Sequence, residues 1–368
     1  MPDNTRLPEW AEDTEAFASR VVEGKRATHD GMVTDNTKIG KPKTKQIDIE
    51  PLIDGIKKGN RALLARGITL VESSSPLHKT DARELLKALL PLSGKSVRIG
   101  ITGVPGAGKS SFIETLGLML TNKGHKVAVL AVDPSSTVTK GSILGDKTRM
   151  GELIRHENVF VRPSPSGGTL GGVAAKSRET MILCEAAGYD IILVETVGVG
   201  QSEVTVRSMV DMFLLITLTG AGDELQGIKK GVMELADLVL VNKADGDNLK
   251  KAQFARADYE QVIHYLRPAT EGWSTPALTC SALTGEGINE LWTTVENFFN
   301  IVKSSGIFKK RRTEQAISWV RQMVEEHLYR SFFENENVKA VLPEVDAGVR
   351  KGLMTTAEAV EWLLESYR

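Results

Sequence analysis

Residues 103–110 read Gly-Val-Pro-Gly-Ala-Gly-Lys-Ser, with glycines, a lysine and a hydroxyl at fixed spacing. Glycines let backbone N–H groups turn inward around a phosphate, where a Cβ would obstruct them. A β-branched run (97–102) precedes this loop and an amphipathic run follows it, so the loop should join a strand to a helix N-terminus. We expect Lys109 to contact the β- and γ-phosphates and Ser110 to coordinate Mg²⁺. The sequence thus predicts a nucleoside triphosphate site formed by Gly103, Val104, Pro105, Gly106, Ala107, Gly108, Lys109, Ser110 and Ser111.

A second motif, Asn-Lys-Ala-Asp at 242–245, ends an apolar run and bears on the base. The Asp245 carboxylate can accept hydrogen bonds from both N1–H and the N2 amine of guanine. Adenine lacks this donor pair, and a site built around such contacts can discriminate by factors of about 10⁴–10⁵. Lys243 is expected to lie along the base and Asn242 to tie the loop to the phosphate loop. Further on, Ser281 and Ala282 follow another apolar run and resemble the loop whose backbone amides contact the guanine oxygen. The predicted ligand is GTP.

Three acidic residues are candidates for the metal and for hydrolysis. Glu195 ends the apolar run 191–194, as in a Walker B strand, although the usual residue there is Asp. It would hold Mg²⁺ opposite Ser110. Asp133 and Asp146 lie earlier in the chain, at positions where an acidic residue could also be an ordinary turn residue. Their place beside the predicted Mg²⁺ site favours a role in the metal shell or in positioning the attacking water.

The segment after Glu195 is expected to respond to the γ-phosphate. Gly198 can supply a backbone N–H to that phosphate. Ras-like proteins carry a water-orienting glutamine directly after this glycine, whereas here Val199 and Gly200 precede Gln201. Slow intrinsic turnover is therefore expected.

Composition limits the classes of function. The chain has 368 residues and a net charge of −1, which gives no indication of a nucleic-acid partner. No apolar run reaches the roughly 18–20 residues that span a bilayer. The N-terminal segment has neither an apolar signal core nor the acid-poor composition of a transit peptide. Cys184 and Cys280 are interpreted as reduced core residues. The predicted location is the cytoplasm.

The periodicity predicts four regions. Residues 1–46 form a flexible arm, and residues 47–95 form N-terminal helices that pack on the nucleotide domain. Within them, one helical pattern covers 49–72, and a second begins at an Asp81-x-x-Glu84 capping signal. Region 96–304 alternates strands and helices, which predicts an α/β P-loop NTPase fold with a mainly parallel sheet flanked by helices. The strand candidates are 97–102, 127–132, 158–162, 190–195, 211–218, 237–242 and 276–280.

Residues 305–368 form a C-terminal helical extension. Thr355-x-x-Glu358 is a capping box for its last helix. The basic run 309–312 is interpreted as a solvated link before a long helix. That helix carries a broad apolar stripe, which could fold back as a hairpin or pair with a second subunit, and its width favours dimerisation. The stripe consists of Ala316, Trp319, Val320, Met323, Val324, His327 and Leu328.

Several longer motifs together resemble one GTPase family, the MeaB/ArgK type (MMAA in animals). These GTPases are chaperones of adenosylcobalamin-dependent methylmalonyl-CoA mutase. The resemblance covers about residues 47–368. The motifs that carry it lie at 103–110, 133–136, 145–150, 162–172, 195–203 and 222–231.

The resemblance implies a homodimer joined through the C-terminal helices. GTP would be the substrate, with Mg²⁺, and its hydrolysis would gate cofactor delivery. Adenosylcobalamin would be handled on the mutase and not bound by this chain, and cobalamin adenosyltransferase is a further candidate partner. Asp133, Asp146 and Glu195 fall at the family's metal and catalytic positions. By resemblance to the family, Arg149 lies in the first switch segment and Gln201 in the second. The third switch segment, which couples to the mutase, contains Asp223, Gln226 and Lys229.

Other interpretations of the sequence are a metallochaperone GTPase, a nucleotide-dependent kinase of basic amino-acid transport, and a scaffold with a vestigial site. The six histidines and two cysteines form no Cys-x-x-Cys or His-x-His cluster, which speaks against the first. The Asn-Lys-Ala-Asp motif favours guanine and speaks against the second. Lys109, Ser110 and Glu195 speak against the third. The sequence does not identify which acyl-CoA mutase is the client.

Overall fold

A parallel sheet organises the chain in the computed structural model, which describes residues 48–73, 75–132, 150–163, 170–196, 202–219 and 230–367. Across these ranges seven strands pair in the order β3-β2-β4-β1-β5-β6-β7, with every neighbouring pair parallel. The predicted α/β fold and its strand candidates are confirmed. The strands are β1 (Val97–Gly103), β2 (Val127–Val132), β3 (Val159–Arg162), β4 (Ile191–Thr196), β5 (Met212–Thr217), β6 (Leu238–Val241) and β7 (Ala277–Thr279).

Helices flank the sheet and extend beyond it. Before β1 lie α1 (Ile49–Lys57), α2 (Arg61–Glu72) and α3 (Lys79–Leu89). Between and after the strands lie α4 (Lys109–Asn122), α5 (Gly151–Arg155), α6 (Leu170–Ala186), α7 (Ser202–Arg207), α8 (Lys230–Met233), α9 (Leu249–His264) and α10 (Ile288–Ser304). The C-terminal helices are α11 (Ile307–Glu334), α12 (Glu336–Arg350) and α13 (Thr356–Ser366). None of the helices in the described ranges is long and apolar enough to cross a bilayer.

The core lies in two layers, one on each face of the sheet. Along β4, Ile191 and Leu193 pack in the layer that includes α4 and α10, while Ile192 and Val194 pack with α6 and the N-terminal helices. Side chains alternate between faces in a strand, so a strand covered on both faces reads as a continuous apolar run. Each fully buried Leu or Ile contributes about 1.5–3 kcal/mol. These layers fix the carboxyl ends of β1, β4 and β6, where the motifs lie.

The N-terminal helices differ in detail from the prediction. The single helical pattern over 49–72 is two helices, because Gly59 adopts φ +74° and Asn60 caps a new helix. The Asn60 side chain accepts hydrogen bonds from the backbone N–H groups of residues 62 and 63 at 3.0 and 3.1 Å. The capping signal at Asp81 is also wrong, since α3 begins at Lys79 and Asp81 lies within its first turn. The apolar periodicity of the sequence continues across both helix boundaries, so the pattern alone does not show where these helices end or begin.

The basic run 309–312 is not the solvated link that its charge predicts. It lies inside α11, against the edge of the sheet where the strands begin. Arg312 makes a two-pronged contact with Asp211, the residue before β5, with Nε–Oδ1 and Nη2–Oδ2 distances of 2.8 and 2.7 Å. Burial alone would lower the pKa of Arg312, but the hydrogen bonds and charge of Asp211 raise it. Arg311 donates to the Asp211 carbonyl and to Thr270, so this edge anchors the long helix.

The C-terminal helices fold back on one another and leave one face of α11 uncovered. Ser331 on α11 contacts the Tyr367 hydroxyl at 2.7 Å, and the predicted capping box of Thr355 and Glu358 is confirmed at the start of α13. Val320 and Leu328, which belong to the apolar stripe of α11, are nevertheless 62% and 59% exposed.

The two cysteines lie in the core. Cys184 on α6 and Cys280 just after β7 are both free and buried, as predicted.

Candidate active site

The loop between β1 and α4 has the backbone shape expected of a phosphate loop. Gly106 and Gly108 adopt φ values of +78° and +83°, in the left-handed region that side chains disfavour. A Cβ on Gly108 would also lie 2.7 Å from the Asn242 side-chain nitrogen. Ala107 between them is fully buried, whereas Pro105, Gly106 and Ser111 are exposed. The strand–loop–helix arrangement is therefore present at the motif.

Lys109 is the first residue of α4. Its Nζ donates to the carbonyl oxygen of Gly103 at 2.8 Å and approaches that of Val104 at 3.4 Å. The ammonium group thus lies against the loop's own backbone, on the side where the loop begins. This places a positive charge at the helix N-terminus, where the helix dipole already favours anions.

Ser110, in the first turn of α4, lies close to Glu195, near the end of β4. The Ser110 hydroxyl lies 3.3 Å from Glu195 Oε1, and the Glu195 residue is 5% exposed. The parallel register pairs Glu195 with Ile101, two residues before the end of β1. A hydroxyl and a carboxylate are both hard oxygen donors of the kind that Mg²⁺ prefers. The donor set therefore fits Mg²⁺.

Asn242 connects three loops at the base end of the site. It is 1% exposed, and its Nδ2 donates to the Ala107 carbonyl at 2.8 Å. Its Oδ1 accepts from the Ala282 backbone N–H at 3.0 Å and from the Cys280 thiol at 3.4 Å. Burial raises the pKa of Cys280 to about 12, so the thiol keeps its proton and can donate. The phosphate loop and the loops after β6 and β7 therefore share one amide.

Asp245 is oriented by the Ser281 hydroxyl, which donates to its Oδ2 at 2.5 Å. The Ser281 and Ala282 backbone amides were expected to face the base. Instead, Ser281 N–H donates to the Glu286 carbonyl at 3.0 Å, and Ala282 N–H donates to Asn242. In this arrangement the two residues position Asp245 and Asn242 rather than presenting free amides. The Lys243 side chain is exposed beside them.

Hydroxyl groups that sequence reasoning missed connect these elements. Thr115 on α4 donates to the Ala282 carbonyl at 2.6 Å, which links the helix after the phosphate loop to the base loop. Thr196 and Thr102 contact through their hydroxyls at 2.9 Å and join the ends of β4 and β1. Neither contact has a sequence signal, because the partners lie on elements separated by many residues.

Several predicted residues lie outside the described ranges. They are Asp133, Asp146, Arg149, Gly198, Gln201, Asp223, Gln226 and Lys229.

Comparison with known proteins identifies the family. A sequence model of the family described as methylmalonyl Co-A mutase-associated GTPase MeaB matches residues 64–337. The chain is 47% identical over 310 residues to GTPase ArgK of Escherichia coli K12, covering 84% of this chain and 94% of that protein. It is 44% identical over 330 residues to the mouse protein named methylmalonic aciduria type A homolog, mitochondrial, covering 87% and 80%.

A solved structure shares the fold. The crystal structure of a LAO/AO transport system kinase superposes with a TM-score of 0.71 at 40% identity, covering 87% of this chain and 99% of that one. The phosphate loop, the acid at the end of β4 and the base loop all lie at the carboxyl ends of this sheet, where a nucleotide binds in such folds. This chain belongs to the methylmalonyl-CoA mutase-associated GTPase family MeaB and is a P-loop GTPase.

Proposed function

We propose that this GTPase is a chaperone of an adenosylcobalamin-dependent acyl-CoA mutase, with methylmalonyl-CoA mutase as the client. GTP binding and hydrolysis would gate cofactor loading and protect or reactivate the mutase. Adenosylcobalamin would stay on the mutase, and cobalamin adenosyltransferase is a further candidate partner. The observation that carries the proposal is the match to a mutase-associated family over residues 64–337. The name of the mouse relative, which refers to methylmalonic aciduria, supports it.

At the phosphate end, we assign Lys109 to the β- and γ-phosphates, together with the backbone of residues 103–111. Ser110 and Glu195 would hold Mg²⁺, since their oxygens already lie 3.3 Å apart. The ion would supply charge neutralisation at the phosphates when bound. Lys109 would stabilise negative charge that develops on the same oxygens during hydrolysis. Asp133 and Asp146 are proposed to complete the metal shell or to position water.

At the base end, Asp245 is proposed to select guanine. A carboxylate has about four acceptor sites, so the hydrogen bond from Ser281 leaves capacity for the N1–H and N2 amine of guanine. Lys243 would lie along the base. Asn242, Ser281 and Ala282 would hold the loop in place through the hydrogen bonds described above.

The uncovered face of α11 supports a proposed homodimer. A stripe with Val320 and Leu328 more than half exposed along a 28-residue helix is wider than a soluble monomer usually leaves uncovered.

We also propose that Arg149, Gln201 and the residues Asp223, Gln226 and Lys229 act as switches. The cytoplasmic location stays a prediction; the name of the mouse relative places that protein in mitochondria.

A second candidate function is that of a kinase of basic amino-acid transport, because the similar solved structure is of a protein named as a LAO/AO transport system kinase. Nucleotide choice separates the two, because a kinase would be expected to use ATP, whereas Asp245 is proposed to select GTP. If ATP bound as tightly as GTP in a calorimetric titration, the guanine assignment would be wrong.

The chaperone role is tested on a working mutase. Adenosylcobalamin-loaded methylmalonyl-CoA mutase is run to partial inactivation with this chain and GTP, with this chain and GDP, or with Lys109→Ala and GTP. We expect the mutase to keep its activity longest with the unaltered chain and GTP. Equal inactivation in all three arms would refute the chaperone proposal and leave the GTPase assignment intact.

A further inference from the structure

The base loop contains a backbone conformation that needs support. Among the described residues, Lys243 is the one non-glycine residue with positive φ, at +60°. This left-handed conformation is unfavourable for a residue with a Cβ. Lys243 lies between Asn242 and Asp245, so its backbone sets the direction in which the following carboxylate leaves the strand. A contact that holds this conformation would therefore also hold Asp245.

Asn248 supplies that contact from three residues beyond the motif. Its side-chain Nδ2 donates to the Lys243 carbonyl at 2.7 Å. Its backbone N–H donates to the Asp245 carbonyl at 3.0 Å. One residue thus connects to the backbone on both sides of Ala244, within the short turn Gly246–Asn248 that leads into α9.

The Asn248 side chain does not do what asparagine usually does before a helix. Asn60 and Asn335 also precede helices, and each accepts hydrogen bonds from the first backbone N–H groups of its helix. Asn248 directly precedes α9 but makes no such bond. Its Oδ1 accepts instead from the hydroxyl of Thr219 at 2.8 Å. Because the Lys243 carbonyl can only accept, the amide nitrogen of Asn248 must face it, and the amide oxygen is left to accept from Thr219.

We propose that Asn248 and Thr219 are positioning residues for guanine selectivity. They hold Lys243 in its left-handed conformation before the nucleotide binds, so that Asp245 needs no ordering when guanine arrives. Thr219 follows β5, the strand next to β6, so its hydrogen bond to Asn248 fixes the base loop to the end of the neighbouring strand. Preorganisation of this kind raises affinity by removing an ordering cost. The inference rests on the proposed assignment of Asp245 to guanine.

The test measures dissociation constants of GDP, IDP and ADP by calorimetry on the full chain. IDP lacks only the N2 amine, so the ratio of the IDP to the GDP constant reports one of the two contacts with Asp245. Hydrogen bonds to charged groups contribute enough for this ratio to be roughly ten- to a hundredfold in the unaltered chain. Asn248→Ala should raise the GDP constant about tenfold, raise the IDP constant less and leave the ADP constant unchanged. Thr219→Val, which keeps the side-chain shape, should shift the ratio in the same direction by a smaller factor.

Asn60→Ala is the matched control, because it removes an asparagine with two backbone contacts far from the base loop. It should lower thermal stability and leave the three dissociation constants unchanged. If Asn248→Ala does not fold, Thr219→Val carries the test. Unchanged IDP-to-GDP ratios in these variants, whatever their stability, would overturn the inference. An unaltered chain that binds ADP as tightly as GDP would instead overturn the guanine assignment, and this inference with it.

Discussion

Replacing Asn242 by alanine should damage both stability and nucleotide binding. The side chain is 1% exposed, donates to the Ala107 carbonyl at 2.8 Å and accepts from the Ala282 N–H at 3.0 Å. Two such bonds contribute about 0.5–1.5 kcal/mol each, and a buried group left without a partner costs about 1–3 kcal/mol. Water entering the small space would recover part of this. We expect a loss of about 2–4 kcal/mol in the free energy of unfolding.

Urea denaturation of the full chain without nucleotide measures the stability term, and calorimetric titration with GDP measures binding. Asn335→Ala is the control, because the Asn335 side chain also makes two hydrogen bonds to the backbone but does so as the cap of α12. It should lose only about 1 kcal/mol, as other cap substitutions do, with unchanged GDP affinity. Asn242→Ala and Asn335→Ala with equal losses of stability, or Asn242→Ala with unchanged GDP affinity, would refute the view that Asn242 holds the site together.

Three further substitutions test separate parts of the account. Glu195→Ala should reduce Mg²⁺-dependent GTP turnover more than GDP affinity; equal turnover at saturating Mg²⁺ would contradict its place in the metal shell. Asp245→Asn should weaken GTP binding by roughly 2–4 kcal/mol, measured by calorimetry, through loss of charge-assisted contacts; an unchanged affinity would count against guanine selection by this residue. Burial raises the pKa of Glu185, but Arg98 and hydrogen bonds from Arg98, Gly94 and Ser96 lower it overall below its ordinary 4.5. The folded carboxyl therefore binds protons less readily than the unfolded one, so the unaltered chain should lose stability as pH falls below about 4.5, and Glu185→Gln should lose less in urea titrations from pH 3 to 7.

The local motifs could be predicted because each carries its own signal. The glycines and lysine of 103–110 specify a loop by their own conformational freedom and charge, and the apolar runs before Glu195 and Asn242 specify buried parallel strands. Strand ends in such a sheet meet at one edge, so the sequence alone brings these motifs together.

The long-range partners could not be predicted. Arg312 reads as one member of a solvated basic run, because its partner Asp211 lies about a hundred residues earlier, before β5. Asn248 has no sequence signal for a similar reason, since its role depends on Thr219 and on the left-handed backbone at Lys243. In both cases the residue type permits several contacts, and only the assembled sheet decides which one forms.

This GTPase is proposed to act on a cobalamin-dependent mutase. The most direct measurement is the steady-state rate of GTP hydrolysis by the full chain, alone and with saturating methylmalonyl-CoA mutase, with Lys109→Ala as the control for contaminating activity. Because Val199 follows Gly198 where Ras-like proteins have the water-orienting glutamine, the rate alone should be slow. A partner that completes a GTPase site can accelerate it by up to about 10⁵-fold. We predict a clear acceleration by the mutase that is absent in Lys109→Ala; an identical rate with and without mutase would contradict the account.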